Sequence, residues 1–177
     1  MRYEIIPDVG PHENPLDWSD WEMHSFSRRH SNFRSPDKFG LIPVSASKAG
    51  TSRIGLRRKL DTGTAFVLSY YEHGLCSWFL QGHGEPGTEC RWDGALVAGI
   101  MIWNGKAKDC GKNFEERQKH AISVTQTYTD WCNGDVYGFK IFDDEDNEVD
   151  SCWGFYGYDF AEESAKEAME GMLCSAK

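Results

Sequence analysis

GDVYGFKIFDDEDNEVDSCWGFYG, residues 134–157, decides the fold. Residues 135–143 alternate apolar and polar side chains at a period near two, the mark of a half-buried strand. DEDN (144–147) is a tight polar turn, and EVDSCWGF (148–155) is its return strand. The stretch is therefore a β-hairpin. Six acids crowd positions 143–150, where solvent takes their charge. The aromatics that follow, Trp153, Phe155 and Tyr156, belong to a strand that re-enters the core. Cys152 sits beside those acids, which oppose a thiolate nucleophile, so it reads as a packed thiol.

Working outward, NFEERQKHAISVTQTYTDWCNG (113–134) is a helix. Asn113 and Glu116 have capping-box spacing. Phe114, Ala121, Thr125, Tyr128 and Cys132 share one face, and Asn133-Gly134 ends the helix. After the hairpin, DFAEESAKEAMEGMLC (159–174) is a second helix. Asp159 and Glu162 are spaced as a capping box, and Ala161, Ala165, Ala168 and Met172 form its inward stripe. Upstream, TAFVLSYY (64–71) and LCSWFLQG (75–82) are β-rich runs joined by Glu72-His73-Gly74, a second hairpin. ALVAGIMIW (95–103) is continuously apolar and reads as a strand buried on both faces. Residues 1–13 form an extended lead-in. In NPLDWSDWEMHSFSRRHSNF (14–33), Asn14 suits an N-cap and Pro15 a first helical position, while Trp18, Trp21 and Ser25 keep helical spacing. This predicts a helix over 15–30. Residues 34–63 are rich in Pro, Gly, Ser and basic side chains and are expected to be irregular and mobile, with short strands expected at LIPVS (41–45). The sum is one α+β domain spanning 1–177, with a mixed or antiparallel sheet of hairpins and about three helices.

Charge is distributed unevenly. Residues 1–60 carry ten Lys/Arg against seven Asp/Glu, and residues 61–177 carry nine against twenty-one, for a net charge of -9. That field disfavours direct nucleic-acid binding and favours basic partners. No apolar run reaches the roughly 20 residues of a membrane span. The first residues lack a signal-peptide pattern, so a cytoplasmic location is expected. Six cysteines without a CxxC pair are then expected to be reduced.

Several segments together resemble a family of phage and mobile-element accessory proteins. The first is NPLDWSDWEMHSFSRRH, through Asn14, Pro15, Trp18, His24, Arg28, Arg29 and His30. The second is YEHG followed by RWDGALVAGIMIW, through Tyr71, His73, Trp92 and Asp93. The third is GDVYGF…DSCWGFYG, through Asp135, Tyr137, Asp150, Trp153 and Tyr156. Arg91-Trp92 stands where the family has Pro-Trp. The resemblance implies a phage-encoded protein expressed in a host cell. The family has no established reaction to carry over, and no cofactor is implied.

The residues themselves offer few chemical motifs. There is no P-loop, GxGxxG, HExxH or GxSxG. His73-x-x-Cys76 with His83 and Cys90 offers zinc-type ligands at a spacing that matches no known finger, so no metal is assigned. His73, Asp93 and His30 are the best candidates for acid–base work. Asp93, Asp135 and Asp150 are the carboxylates that could join His73, but Asp93 is better read as an N-cap or turn acceptor and Asp135 as a residue beside the Gly134 helix stop. Asp143, Asp144, Glu145 and Asp146, with Arg28 and Arg29, are the candidate partner-binding groups. The expected function is binding and modulating a host protein, in an anti-defence or host-takeover role. The alternatives are a small hydrolase or nucleic-acid-processing enzyme at His73/Asp93/His30, and a virion or assembly protein.

Overall fold

A computed structural model of the protein describes residues 1–40, 52–84 and 93–175. It is α+β with antiparallel sheets, as the patterns predict, but the hairpins fall into two sheets rather than one. The chain divides into two compact units, Met1–Asn14 with Asp130–Lys177, and Pro15–Thr129.

The first unit is built on the opening hairpin. Strands β6 (Val136–Phe142) and β7 (Glu148–Tyr156) pair antiparallel, and β1 (Arg2–Pro7) lines the other side of β6, giving the order β1-β6-β7. Helix α4 (Tyr158–Ser175) packs on one face. Its Ala161 and Ala165 are fully buried, and Phe139 and Ile141 of β6 meet it with Tyr3, Ile5 and Phe155. Small residues on the helix let it lie close to the sheet. α4 begins at Tyr158, so Asp159 lies inside its first turn and does not cap it. Glu162 instead accepts from Tyr3 Oη (3.2 Å) and Lys166 Nζ (2.7 Å).

The expectation that the 148–156 aromatics return to the core is corrected. β7 is an edge strand. Trp153 is 45% exposed, and Cys152 is exposed rather than packed. Trp153 does not dive inward because it lies flat across Gly138. A Cβ at that glycine would come within 2.2 Å of the indole. Phe155 alone of the three reaches the core, stacked on Phe139 at 5.5 Å.

The second unit carries the sheet β2-β5-β3-β4, from β2 (Trp21–Ser25), β3 (Ala65–His73), β4 (Leu75–Leu80) and β5 (Gly94–Trp103). β3 and β4 form the expected hairpin. The helix predicted over 15–30 is not there. Pro15–Trp18 makes one 3-10 turn, and Trp21–Ser25 is a strand paired to β5 with Trp21 opposite Trp103 and Met23 opposite Met101. Trp21, Met23 and Ser25 are buried at period two, so pairing with the most apolar strand overrides the weak helical spacing. β5 is buried on both faces only over Ala98–Met101. Leu96 and Val97, on its first half, are about half exposed at 51% and 50%.

Helix α3 (Phe114–Asn133) follows the short helix α2 (Ala107–Cys110). The Asn113 Oδ1 accepts from Glu116 N (2.8 Å), while Glu116 reaches back to Lys112 N (2.8 Å), one residue beyond the box expected. Ala121, Thr125 and Thr129 are its buried row, and Cys132, read as inward, is exposed. The core joins Trp21, Phe66, Leu68, Trp78, Leu80 and Met101 to Ala121. Within the segment read as irregular, Ser52–Asp61 is a helix, α1, carrying Arg57, Arg58 and Lys59. The strands expected at 41–45 lie outside the described residues. So do Trp92 and Cys90.

Candidate functional site

Two places gather the residues that the sequence singled out. One is the acidic turn of the first unit. Asp143 Oδ1 accepts the amides of Glu145 (2.8 Å) and Asn147 (2.9 Å), and the Asn147 side chain donates to the same carboxylate. These donors, the Asn147 side chain foremost, hold its pKa below the ordinary carboxylate value. Asp143 therefore builds the turn. Asp144 and Asp146 project from it with side chains 90% and 76% exposed. Arg2 bridges to Asp146 at 3.1 Å and also pairs with Glu4. Glu148 pairs with Lys140 at 2.6 Å, which lowers its pKa. Asp135 sits at the opposite end of the β6–β7 pair, where its backbone takes Gly157 N (2.9 Å). Asp150 faces Ile141, six residues along β6 from Asp135, or about 20 Å at strand rise. They do not converge as a carboxylate pair. Tyr137 meets Tyr158 edge-on at 5.6 Å. Tyr156 donates to the Glu13 carbonyl at 2.8 Å, and its burial pushes its pKa up.

Folding leaves the two balances as they were along the chain but concentrates the acid on fewer residues. The first unit, Met1–Asn14 with Asp130–Lys177, carries four Lys/Arg against sixteen Asp/Glu, a balance of -12. The second unit carries fifteen against twelve, a balance of +3. The N-terminal segment, counted with the basic half by position in the chain, joins the acidic one in space through β1.

The other place is a cleft in the second unit, of about 290 Å³, lined by Ser25, Arg29, His30, Tyr70, Glu72 and Trp78 among others. Arg28, Arg29 and His30 lie in the turn after β2 rather than on a helix. The Ser25 hydroxyl is fully buried and accepts Ser27 N (3.1 Å), and His30 Nδ1 stands 2.7 Å from it. A buried hydroxyl needs an acceptor for its own proton, and among the described residues Nδ1 at 2.7 Å can serve as one. The neutral ring then keeps its proton on Nε2. Tyr70 Oη donates to Glu72 (2.9 Å), and His30 lies edge-on to Tyr70 and Trp78 at 5.3 Å from each.

His73 and Asp93 meet on the surface at the end of this sheet, Nδ1 to Oδ2 3.6 Å, with the Asp93 carbonyl accepting Glu72 N (2.8 Å). Tyr71, beside them on β3, pairs with Ser77 and Gly94. His24 is buried, paired with Glu22 at 3.2 Å, and burial lowers its pKa. It is a packed histidine. Trp18 is 62% exposed, whereas Trp21 is 1% exposed, so the two tryptophans separate into surface and core. The sequence reasoning missed Ser25, Tyr70 and Glu72. Their types carry no motif, and they meet through strand pairing. Among the described residues no three His, Cys, Asp or Glu converge as metal ligands, and no helix is long and apolar enough to cross a membrane.

Comparison with protein-family models, with curated proteins and with solved structures finds no match to this chain.

Proposed function

We propose that this is a phage-encoded accessory protein that acts in the host cytoplasm by binding a basic surface of a host protein. The phage assignment rests on the sequence resemblance. The binding mode rests on the charge partition, with a balance of -12 concentrated in the first unit. A surface of that sign attracts a basic partner, speeds encounter and repels nucleic acid. Asp144, Glu145 and Asp146 at the β6–β7 turn lead that surface, and Asp143 shapes it. The test replaces Asp144, Glu145 and Asp146 with Asn or Gln and leaves Asp143 intact. Binding to the host partner should slow in its association rate, and added salt should do the same to the native chain. Affinity indifferent to both sinks the electrostatic reading.

A second reading, a small hydrolase or nucleic-acid-processing enzyme, is favoured by the His73–Asp93 pair at 3.6 Å and by His30 in its cleft. His73 is 76% exposed, so His73→Ala should leave the melting temperature unchanged. Loss of a biological effect by that variant, with the acidic variant intact, favours the enzyme.

A further inference from the structure

A separate cavity in the second unit, of about 400 Å³, is lined by Pro15, Trp18, Asp20, Trp103, His120 and Thr127 among others. Pro15 and Trp18 come from the 3-10 turn, Trp103 from the end of β5, and His120 from α3. The Trp103 and His120 rings stand 5.7 Å apart at 62°, as two walls of a corner. Trp21 packs edge-on against both, at 5.2 and 6.2 Å, and props the corner from the core. Trp103 is pinned further by its indole nitrogen, which donates to the Lys106 carbonyl at 3.0 Å. Trp18 adds a third, largely exposed ring.

Asp20 is the one formally charged side chain among the described residues lining the cavity. Its position is fixed by the loop that follows β5. Asn104 N donates to the Asp20 carbonyl at 2.9 Å. The Asp20 carboxylate presses on Gly105 so closely that a Cβ there would lie 2.7 Å from Oδ2 and 3.0 Å from the Trp103 indole nitrogen. The absent side chain at 105 thus lets a carboxylate and an indole share one side of the cavity.

Two indoles with electron-rich faces and an imidazole line a concave space to which the described residues bring one carboxylate and no ammonium or guanidinium, a combination that suits an organic cation. We infer that this cavity is a binding site for an alkylammonium group, held by Trp18, Trp103 and His120 and neutralised by Asp20. The chemistry is shared by a free quaternary amine and by a methylated lysine side chain of a protein. The inference stands apart from the charge reading of the first unit, since it uses none of the acids there.

The test follows the indole N–H signals of the full chain by NMR during titration with choline, with its uncharged isostere 3,3-dimethyl-1-butanol, and with a blocked trimethyllysine. Choline or trimethyllysine should shift the Trp18 and Trp103 signals saturably, and the isostere should bind at least about tenfold more weakly. Trp18→Ala and Asp20→Asn should each weaken the cation about tenfold. Both side chains are exposed, so the fold should survive either change, and undisturbed Trp21 and Trp78 signals will verify that. Tighter binding of choline assigns the site to a free cation, and tighter binding of trimethyllysine assigns it to a protein side chain. Equal affinity for the isostere, no saturation by either cation, or indifference to both substitutions overturns the inference.

Discussion

Thr129→Val tests how the second unit closes its open sheet edge. β4 is the outer strand of the order β2-β5-β3-β4, so its outward backbone groups have no neighbouring strand among the described residues. Thr129 of α3 supplies the substitute. Its hydroxyl accepts Trp78 N at 3.0 Å and donates to the Trp78 carbonyl at 3.2 Å, and both residues are buried. One side chain thereby satisfies both main-chain groups of an edge residue. Valine keeps the shape and removes the hydroxyl. A buried amide left without a partner costs about 1–3 kcal/mol, and the carbonyl adds to it, so the expected loss is about 2–4 kcal/mol. For a chain of this size that is a fall in Tm of about 5–15 °C. Thr129→Ser should recover all but about 1 kcal/mol, since it restores the hydroxyl and loses one methyl. Urea denaturation gives the free energies, and hydrogen exchange at the Trp78 amide gives the mechanism. If Thr129→Val unfolds within about 0.5 kcal/mol of the native chain and the Trp78 amide exchanges no faster, the hydroxyl does not close the edge and the reasoning fails. Trp78 also forms a wall of the His30 cleft, so loosening this clip should disturb that cleft too.

Two further outcomes follow from the packing and the titrating groups. Gly138→Ala should destabilise the first unit by about 1–3 kcal/mol by driving its Cβ into Trp153. In a Trp153→Ala background the same change should be nearly neutral, and an unchanged cost there refutes the clash. Acid should weaken the fold through groups whose folded pKa is depressed. His24 is held below its ordinary value chiefly by burial. Its contribution is complete above about pH 6.5 and is lost as pH falls through its lower folded value. Asp143 acts in a lower window, its contribution complete above about pH 3.9 and lost as pH falls through its depressed value. Stability measured from pH 7 to pH 5 should slope less steeply in His24→Gln. An identical slope assigns the acid sensitivity elsewhere.

The readable parts of this protein are those whose pattern and partner are close in sequence. The hairpins at 64–82 and 134–157 were legible because alternation and turn residues lie in one stretch. α3 and α4 were legible because their buried or partly buried positions recur at helical spacing over about two to three turns, Ala121 to Thr129 and Ala161 to Met172. α1 was not, because Ser52–Asp61 has a weak apolar face and is rich in polar and basic residues that suit a loop equally well. Trp18, Trp21 and Ser25 mimic one helical stripe, yet Trp21, Met23 and Ser25 also satisfy a strand. Only pairing with β5, some 75 residues away, chooses between them. The same dependence on distant partners hid both cavities. Ser25 and His30 meet Glu72 and Trp78 because β2 and β3 flank β5, and Trp18 and Asp20, just before β2, meet Trp103 because Trp21 pairs with it, with His120 supplied by α3.

The amino-acid sequence by itself determined the α+β class, the two hairpins, the two long helices and the excess of acid. Tertiary structure decided that the hairpins belong to separate sheets, that Trp153 stays at the surface, and that Arg2 and its neighbours join the acidic unit. The physical reason is range. Periodicity and turn chemistry act over a few residues and are written locally. Which strand pairs with which, and which face is then covered, depends on burial summed over segments far apart in the chain.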